Sequence, residues 1–451
     1  MSTVTTATTI PRAGGLPFLG VAHKFGPKWA LDSWRRLGDV FSLHLPGGNG
    51  GVLLAHPEAV RAALVDKEGI ARMEFPSDPK NLLARATGDG IIAKSGEPWV
   101  ERRDMMQPSF RRQRLAELVP IMRGEIDRWL DDLERRFVAT KQAFDAQPAL
   151  HRLTVSVLMR SLFSSSASEA DVAIAGEAVD CVLRAVSFGP LPLGKGRMLA
   201  RAERGFDQVA DRLIAERREQ AAESRPHDLL TAMLEMKGAG GQGLGDRSLR
   251  FEIIGLLIGG KETSAVALSW VLSLLHEHPE AERRLMAEID FVLGGRAPEA
   301  ADLGALRYTR MVLQETLRRY TPVWVLFPRE AREEVRFGPH VIAPGTRIWV
   351  SPYVTHHHPE FWETPEVWNP DRFAPGDDEP VLKHRYMWLP FGGGPRVCLG
   401  NRFAMMEMQL ALARLLQRFR VRWAGGDKVV PNVVFNTYLP KSVPIRLERR
   451  E

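Results

Sequence analysis

Phe391-Gly392-Gly393-Gly394-Pro395-Arg396-Val397-Cys398-Leu399-Gly400 decides how this chain is read. A cysteine stands at the end of a glycine-rich turn, directly before a strongly helical run from about Asn401 to Phe419. Three successive glycines permit a tight loop with positive φ. Backbone N–H groups at a helix start, together with the helix dipole, favour a thiolate there. A hydrogen-bonded thiolate in an apolar shell is what an iron ligand requires. Most free cysteines are simply core residues, and Cys181, with no motif around it, reads that way. Cys398 reads differently, because a glycine turn leads into it, a helix follows it, and Phe391 and Arg396 flank it with an apolar ring and a cation.

Four upstream segments belong with it. Glu315-Thr316-Leu317-Arg318 puts an acid and a base on one helical face, and Trp368-Asn369-Pro370-Asp371-Arg372-Phe373 follows downstream. Gly259-Gly260-Lys261-Glu262-Thr263-Ser264 interrupts an unusually long apolar segment, 247 to 277, which reads as a helix buried at the centre of the fold. Each glycine costs such a helix about 1 kcal/mol, so a local opening is expected. In Trp99-Val100-Glu101-Arg102-Arg103, Trp99 and Arg103 share a helical face. An indole N–H and a guanidinium fork suit a carboxylate.

The decamer resembles the heme-binding signature of the cytochrome P450 family, Phe-x-x-Gly-x-Arg-x-Cys-x-Gly, matched at Phe391, Gly394, Arg396, Cys398 and Gly400. The other segments resemble family motifs in the expected order, over about residues 11 to 447, and Phe403, Ala404 and Glu407 look familial too. The resemblance implies a mainly α fold with small β-sheets (α+β), its long central helix lying over a heme. Heme b is the implied cofactor, with iron held by Cys398 and O2 as co-substrate. Implied heme contacts are Trp99, Arg103, Gly260, Arg329, Phe391, Arg396 and Gly400. Glu262 and Thr263 look like the acid–alcohol pair that relays protons to dioxygen. Glu315, Arg318 and Arg372 look like the buried triad that ties its helix to the following meander. Lys261 departs from the pattern; it either pairs with Glu262 or reaches solvent.

The implied activity is insertion of one oxygen atom of O2 into a hydrophobic small molecule: a terpenoid, steroid, fatty acid or polyketide. Candidate pocket residues are Phe75, Leu256, Gly259, Val323, Trp324, Phe327 and Phe435, under a lid around Phe188 to Leu193. Electrons are expected from a separate ferredoxin or flavodoxin with its NAD(P)H-dependent reductase. That partner would dock on Arg102, Arg103, Arg111, Arg112 and Arg114. Two rival readings stay open: a peroxide-driven or oxygen-independent heme-thiolate enzyme, and a heme sensor without turnover.

Composition agrees. Net charge is +6, from 61 Lys+Arg against 55 Asp+Glu, with no aromatic-interleaved basic tract, so nucleic acid is not an expected partner. No apolar run approaches the ~18 residues a membrane helix needs, and Met1 to Ile10 lacks the pattern of a signal peptide. A cytoplasmic, unanchored monomer is expected, with a flexible 1–10 and one domain over 11–451. Two cysteines make no disulfide framework. His356-His357-His358 reads as structural, since adjacent residues rarely converge on one ion. Strands are expected at Val40–Leu45, Gly51–Ala55, Val341–Ser351 and Val443–Leu447, helical patterning over about 118–320, and an irregular meander over Trp362–Pro390.

Overall fold

The computed structural model describes residues 9–16, 20–46, 50–65, 71–72, 82–164, 167–187, 194–236, 243–374, 382–426 and 428–450. Helices make the body, as the 3.6-residue patterning requires. The central helix, Asp246–Glu277, is 32 residues long. Its sequence is apolar nearly all round because other helices cover nearly all of it. Packed against it are the helices Ala146–Leu162, Glu169–Val186, Lys195–Glu219, Arg307–Arg319 and Asn401–Arg418. Local signals set several helix starts. Ser168 and Asp171 form a reciprocal capping box, and Asp145 and Asp228 cap the helices that follow them.

A five-stranded sheet sits beside this body, in the order Val40–Leu43, Gly51–Leu54, Arg347–Val350, Arg329–Ala331, Ala71–Arg72. The first two strands form the expected hairpin, with Phe41 opposite Leu53. Gly51–Leu54 then pairs in parallel with Arg347–Val350, Leu53 opposite Trp349. The run Val341–Ser351 is not one strand. A turn at Pro344-Gly345, with Gly345 at φ 78°, splits it. His340–Ile342 pairs with Val335–Phe337, and Arg347–Val350 joins the large sheet. The C-terminal strand, Pro444–Arg449, pairs with Phe419–Trp423 and with Phe144–Asp145.

The histidine run is structural. His356 is fully buried. Its Nε2 accepts the Leu389 N–H at 2.7 Å, and its Nδ1 lies 3.0 Å from the Arg318 carbonyl oxygen. Burial, with Arg318 alongside, pushes its pKa down to about 3, so the ring stays neutral and links two backbone segments. Among the described residues no metal-binding cluster of His, Cys, Asp and Glu occurs, and no helix is long and apolar enough to cross a membrane.

Candidate functional site

Glycine geometry shapes the cysteine loop. Gly392 and Gly394 take φ 70° and 68°, which side chains disfavour. A Cβ on Gly394 would lie 2.0 Å from the Leu64 carbonyl oxygen. The middle glycine, Gly393, is extended. The loop closes where the Cys398 N–H donates to the Phe391 carbonyl at 2.8 Å. Dense protein surrounds Cys398, yet its side chain is open, so the sulfur lines an internal space rather than the core. Burial pushes the thiol up; the Gly400 N–H and the Arg103 charge pull it down without cancelling that rise. The helix start therefore does not by itself secure a thiolate. A bound cation would, because a metal holds a coordinating thiol deprotonated.

Three guanidiniums converge beside the loop. Arg103 donates to the Val397 carbonyl at 2.7 Å, Arg396 to the Lys94 carbonyl at 2.5 Å and Arg329 to the Phe327 carbonyl at 3.0 Å. Arg396 and Arg103 also sit over the Trp99 ring, 4.3 and 5.9 Å from its centroid. Burial, then the like charges of Arg329 and Arg103, push Arg396 down to about 10. Mutually repelling cations at one place ask for an anion. The two carboxylates of a porphyrin fit that request, and an open sulfur fits its iron.

The central helix contributes one open stripe. From Glu252 to Leu275 the residues that are not buried are Leu256, Ile258, Gly259, Gly260 and Thr263. Leu256, Gly259, Gly260 and Thr263 fall at i, i+3, i+4 and i+7, one face. Thr263 Oγ1 donates back to the Gly259 carbonyl at 2.9 Å. Gly260 lets the helix Ala146–Leu162 press close: a Cβ there would meet Leu158 Cδ1 at 2.1 Å. The helix after Cys398 packs on the central helix, and the Glu407 carboxyl is hydrogen-bonded to the Ser264 hydroxyl there.

The family profile described as Cytochrome P450 matches residues 11–448. The chain belongs to the cytochrome P450 family. It is similar to a cyclooctatin synthase of Streptomyces melanosporofaciens, 32% identical over 430 residues, covering 93% of this chain and 91% of that protein. A cyclooctat-9-en-7-ol 5-monooxygenase of the same organism is also 32% identical, over 435 residues, covering 93% and 91%. A pentalenene oxygenase of Streptomyces avermitilis is 29% identical over 451 residues, covering 97% and 96%. Cytochrome P450 enzymes are heme-iron monooxygenases that use O2, and this chain is an oxidoreductase of that kind.

With the P450 frame in hand, the remaining residues fall into place or out of it. Glu315 and Arg318, both fully buried, are joined by two hydrogen bonds of 2.7 and 2.8 Å. Arg318 also donates to the carbonyls of His356, Pro365 and Val367. Arg372 Nε lies 3.4 Å from Glu315, and its Nη2 reaches Thr364. Arg329 is buried in a sheet strand, not a surface residue. Phe327 and Phe435 face each other at 6.1 Å, Phe435 in a left-handed turn at φ 56°. Val323 bridges to Thr437.

Four expectations change. Trp324 is fully buried in a separate core, 5.0 Å from Phe25, and offers the pocket no ring face. Arg102 is buried 3.4 Å from Glu252, so it cannot serve a docking face. Arg114 is spent on Glu117 and on the His227 carbonyl. Lys261 takes neither route foreseen for it: it pairs with Asp180. Phe75 and the lid around Phe188 to Leu193 lie outside the described residues. Sequence reading missed His151, whose Nδ1 lies 3.2 Å from Glu262; nothing in its local sequence marks it.

Proposed function

We propose that this cytochrome P450 oxidises a hydrophobic terpenoid, with Cys398 as the iron ligand and electrons drawn from a ferredoxin or flavodoxin and its reductase. Steroids, fatty acids and polyketides share the required chemistry; relatives named for pentalenene and cyclooctatin favour the terpenoid. Residues 11–451 act as one catalytic domain in this reading. The observation that carries it is the open sulfur of Cys398 beside the converging cations Arg103, Arg329 and Arg396.

Bound heme supplies the oxygen activation. The chain's own residues do the rest. Arg103, Arg329 and Arg396, with the Trp99 indole, hold the propionates. Gly392 and Gly394 let the loop present the sulfur. Leu256, Gly259, Phe327 and Phe435 provide apolar walls that orient substrate and exclude water. Glu262 passes on the proton that Thr263 delivers. Burial pushes the Glu262 carboxyl up, but the hydrogen bond and charge of His151, with Lys261, outweigh it and leave it below the usual range. Glu262 is therefore ionised at neutral pH, ready to accept a proton before delivering one.

The test is the absorption spectrum of the reduced protein under carbon monoxide. A strongly red-shifted Soret band, lost in Cys398→Ala, is expected. An imidazole-type band would overturn the ligand assignment. Labelled dioxygen with pentalenene as probe then separates the monooxygenase from a peroxide-driven enzyme, because only the former puts label from O2 into product.

A further inference from the structure

Glu262 is a buried acid on the central helix, and a carboxylate that delivers protons must be recharged from water. On its own helix the neighbouring cation is already occupied. Lys261, the adjacent cation, is 3% exposed at its side chain and is committed to Asp180 on the helix Glu169–Val186. The helix Ala146–Leu162 supplies the other contacts to this turn. Thr154 Oγ1 donates to the Lys261 carbonyl at 2.8 Å, and Leu158 fills the space beside Gly260. One turn earlier on the same face stands His151, its Nδ1 3.2 Å from Glu262 Oε2. The two side chains are 17% and 8% exposed, so the ring spans from the buried carboxylate to the margin of solvent. Its Nδ1 is buried, and beyond this close approach to Glu262 it makes no hydrogen bond.

We propose that His151 is a positioning residue that holds Glu262 and returns protons to it from solvent. In the step, the Nδ1–H bond of the imidazolium breaks and its electron pair stays on nitrogen. The proton forms an O–H bond on Glu262 Oε2. The neutral ring then regains a proton from water, so no oxidant or reductant is involved. Histidine suits this work because its two nitrogens can load and unload at opposite edges. A lysine or arginine here would hold the carboxylate as well but would not surrender its proton near neutral pH. The inference rests on the reading of Glu262 as the proton-delivering acid.

His151→Asn separates holding from supply, because the asparagine amide places a donor where Nδ1 stood but cannot carry a proton onward. The heme-loaded variant, driven by NADPH through a ferredoxin and its reductase, is assayed with pentalenene as probe. Expected is about a tenfold loss of product per NADPH, with peroxide rising in its place and a larger solvent deuterium isotope effect on product formation. An unchanged isotope effect and wild-type yield would overturn the proposal. A second readout needs no turnover. In 15N-histidine-labelled protein the His151 Nδ1 resonance should show a proton shared with a carboxylate, and Glu262→Gln should move it; a resonance indifferent to Glu262→Gln overturns the contact itself. If Glu262→Gln retains wild-type product yield, the acid has been misassigned. If Glu262→Gln fails and His151→Asn does not, the inference about His151 alone is wrong.

Discussion

Glu407 shows what a single buried carboxyl does to this protein. It is 1% exposed, is hydrogen-bonded to the Ser264 hydroxyl, and has no partner for Oε1. Burial pushes it up to about 8, against an ordinary 4.5. The folded protein therefore holds a proton that the unfolded chain has released between those values. Stability from this group is full below the ordinary carboxylate range and is lost as pH climbs towards 8. Glu407→Gln keeps a neutral group of the same shape. Thermal melts should show wild type losing ground to the variant between pH 5 and 8.5; parallel melting curves would show that Glu407 does not titrate there. Glu407 could be picked out in the sequence as familial. That it sits neutral beneath the central helix could not, because burial is not a local property.

Elements are held to one another by charge as well as by packing. The Glu315–Arg318 pair locks the helix Arg307–Arg319 to the meander, since Arg318 binds carbonyls at 356, 365 and 367 and the Asn369 N–H donates to Glu315. Removing one member leaves a buried charge without its partner. Glu315→Ala should cost about 3–5 kcal/mol in denaturant unfolding and should weaken heme retention, because the meander leads directly into the cysteine loop. Spacing put Glu315 and Arg318 on one helical face, but Glu-x-x-Arg is common on surfaces, and the pair became legible only with residues 368–373 downstream and the family resemblance. The third member, Arg372, came from resemblance, and its distance of 3.4 Å to Glu315 comes from the fold. The hairpin Pro431–Val434 with Thr437–Pro440 was not legible, because its strands are four residues each, one exposed and the other largely buried, and neither carries a clear apolar–polar alternation.

At the scale of the whole molecule, the question is where electrons enter. The helix Arg112–Glu117 packs on the helix that follows Cys398, which puts Arg111 and Arg112 on the cysteine side of the protein. Both are exposed. With Arg102 buried and Arg114 engaged, these two are what remains of the basic docking cluster besides Arg103. Arg111→Glu combined with Arg112→Glu should slow reduction by an acidic ferredoxin about tenfold or more at low salt, with the gap closing as ionic strength rises. Stopped-flow reduction at two salt concentrations measures this. Equal rates would move the docking face elsewhere, and substrate-induced Soret shifts should be unaffected.

The sequence by itself determined the family and the long central helix, and through the family resemblance it singled out Cys398, Glu262 and Thr263 as candidates. Each is written in a local pattern: a glycine spacing, an apolar period, an acid beside an alcohol. Tertiary structure decided which charges meet. Lys261 could have turned to Glu262, but Asp180 lies on the helix packed above it. Trp324 looked like a pocket wall, but Phe25, from the far end of the chain, covers its ring. His151 stands 111 positions from its acid and carries no motif, so only the packing of two helices makes it part of the site. Partner choice depends on which groups lie within a few ångströms in three dimensions, and a pattern read along one chain segment holds no information about that distance.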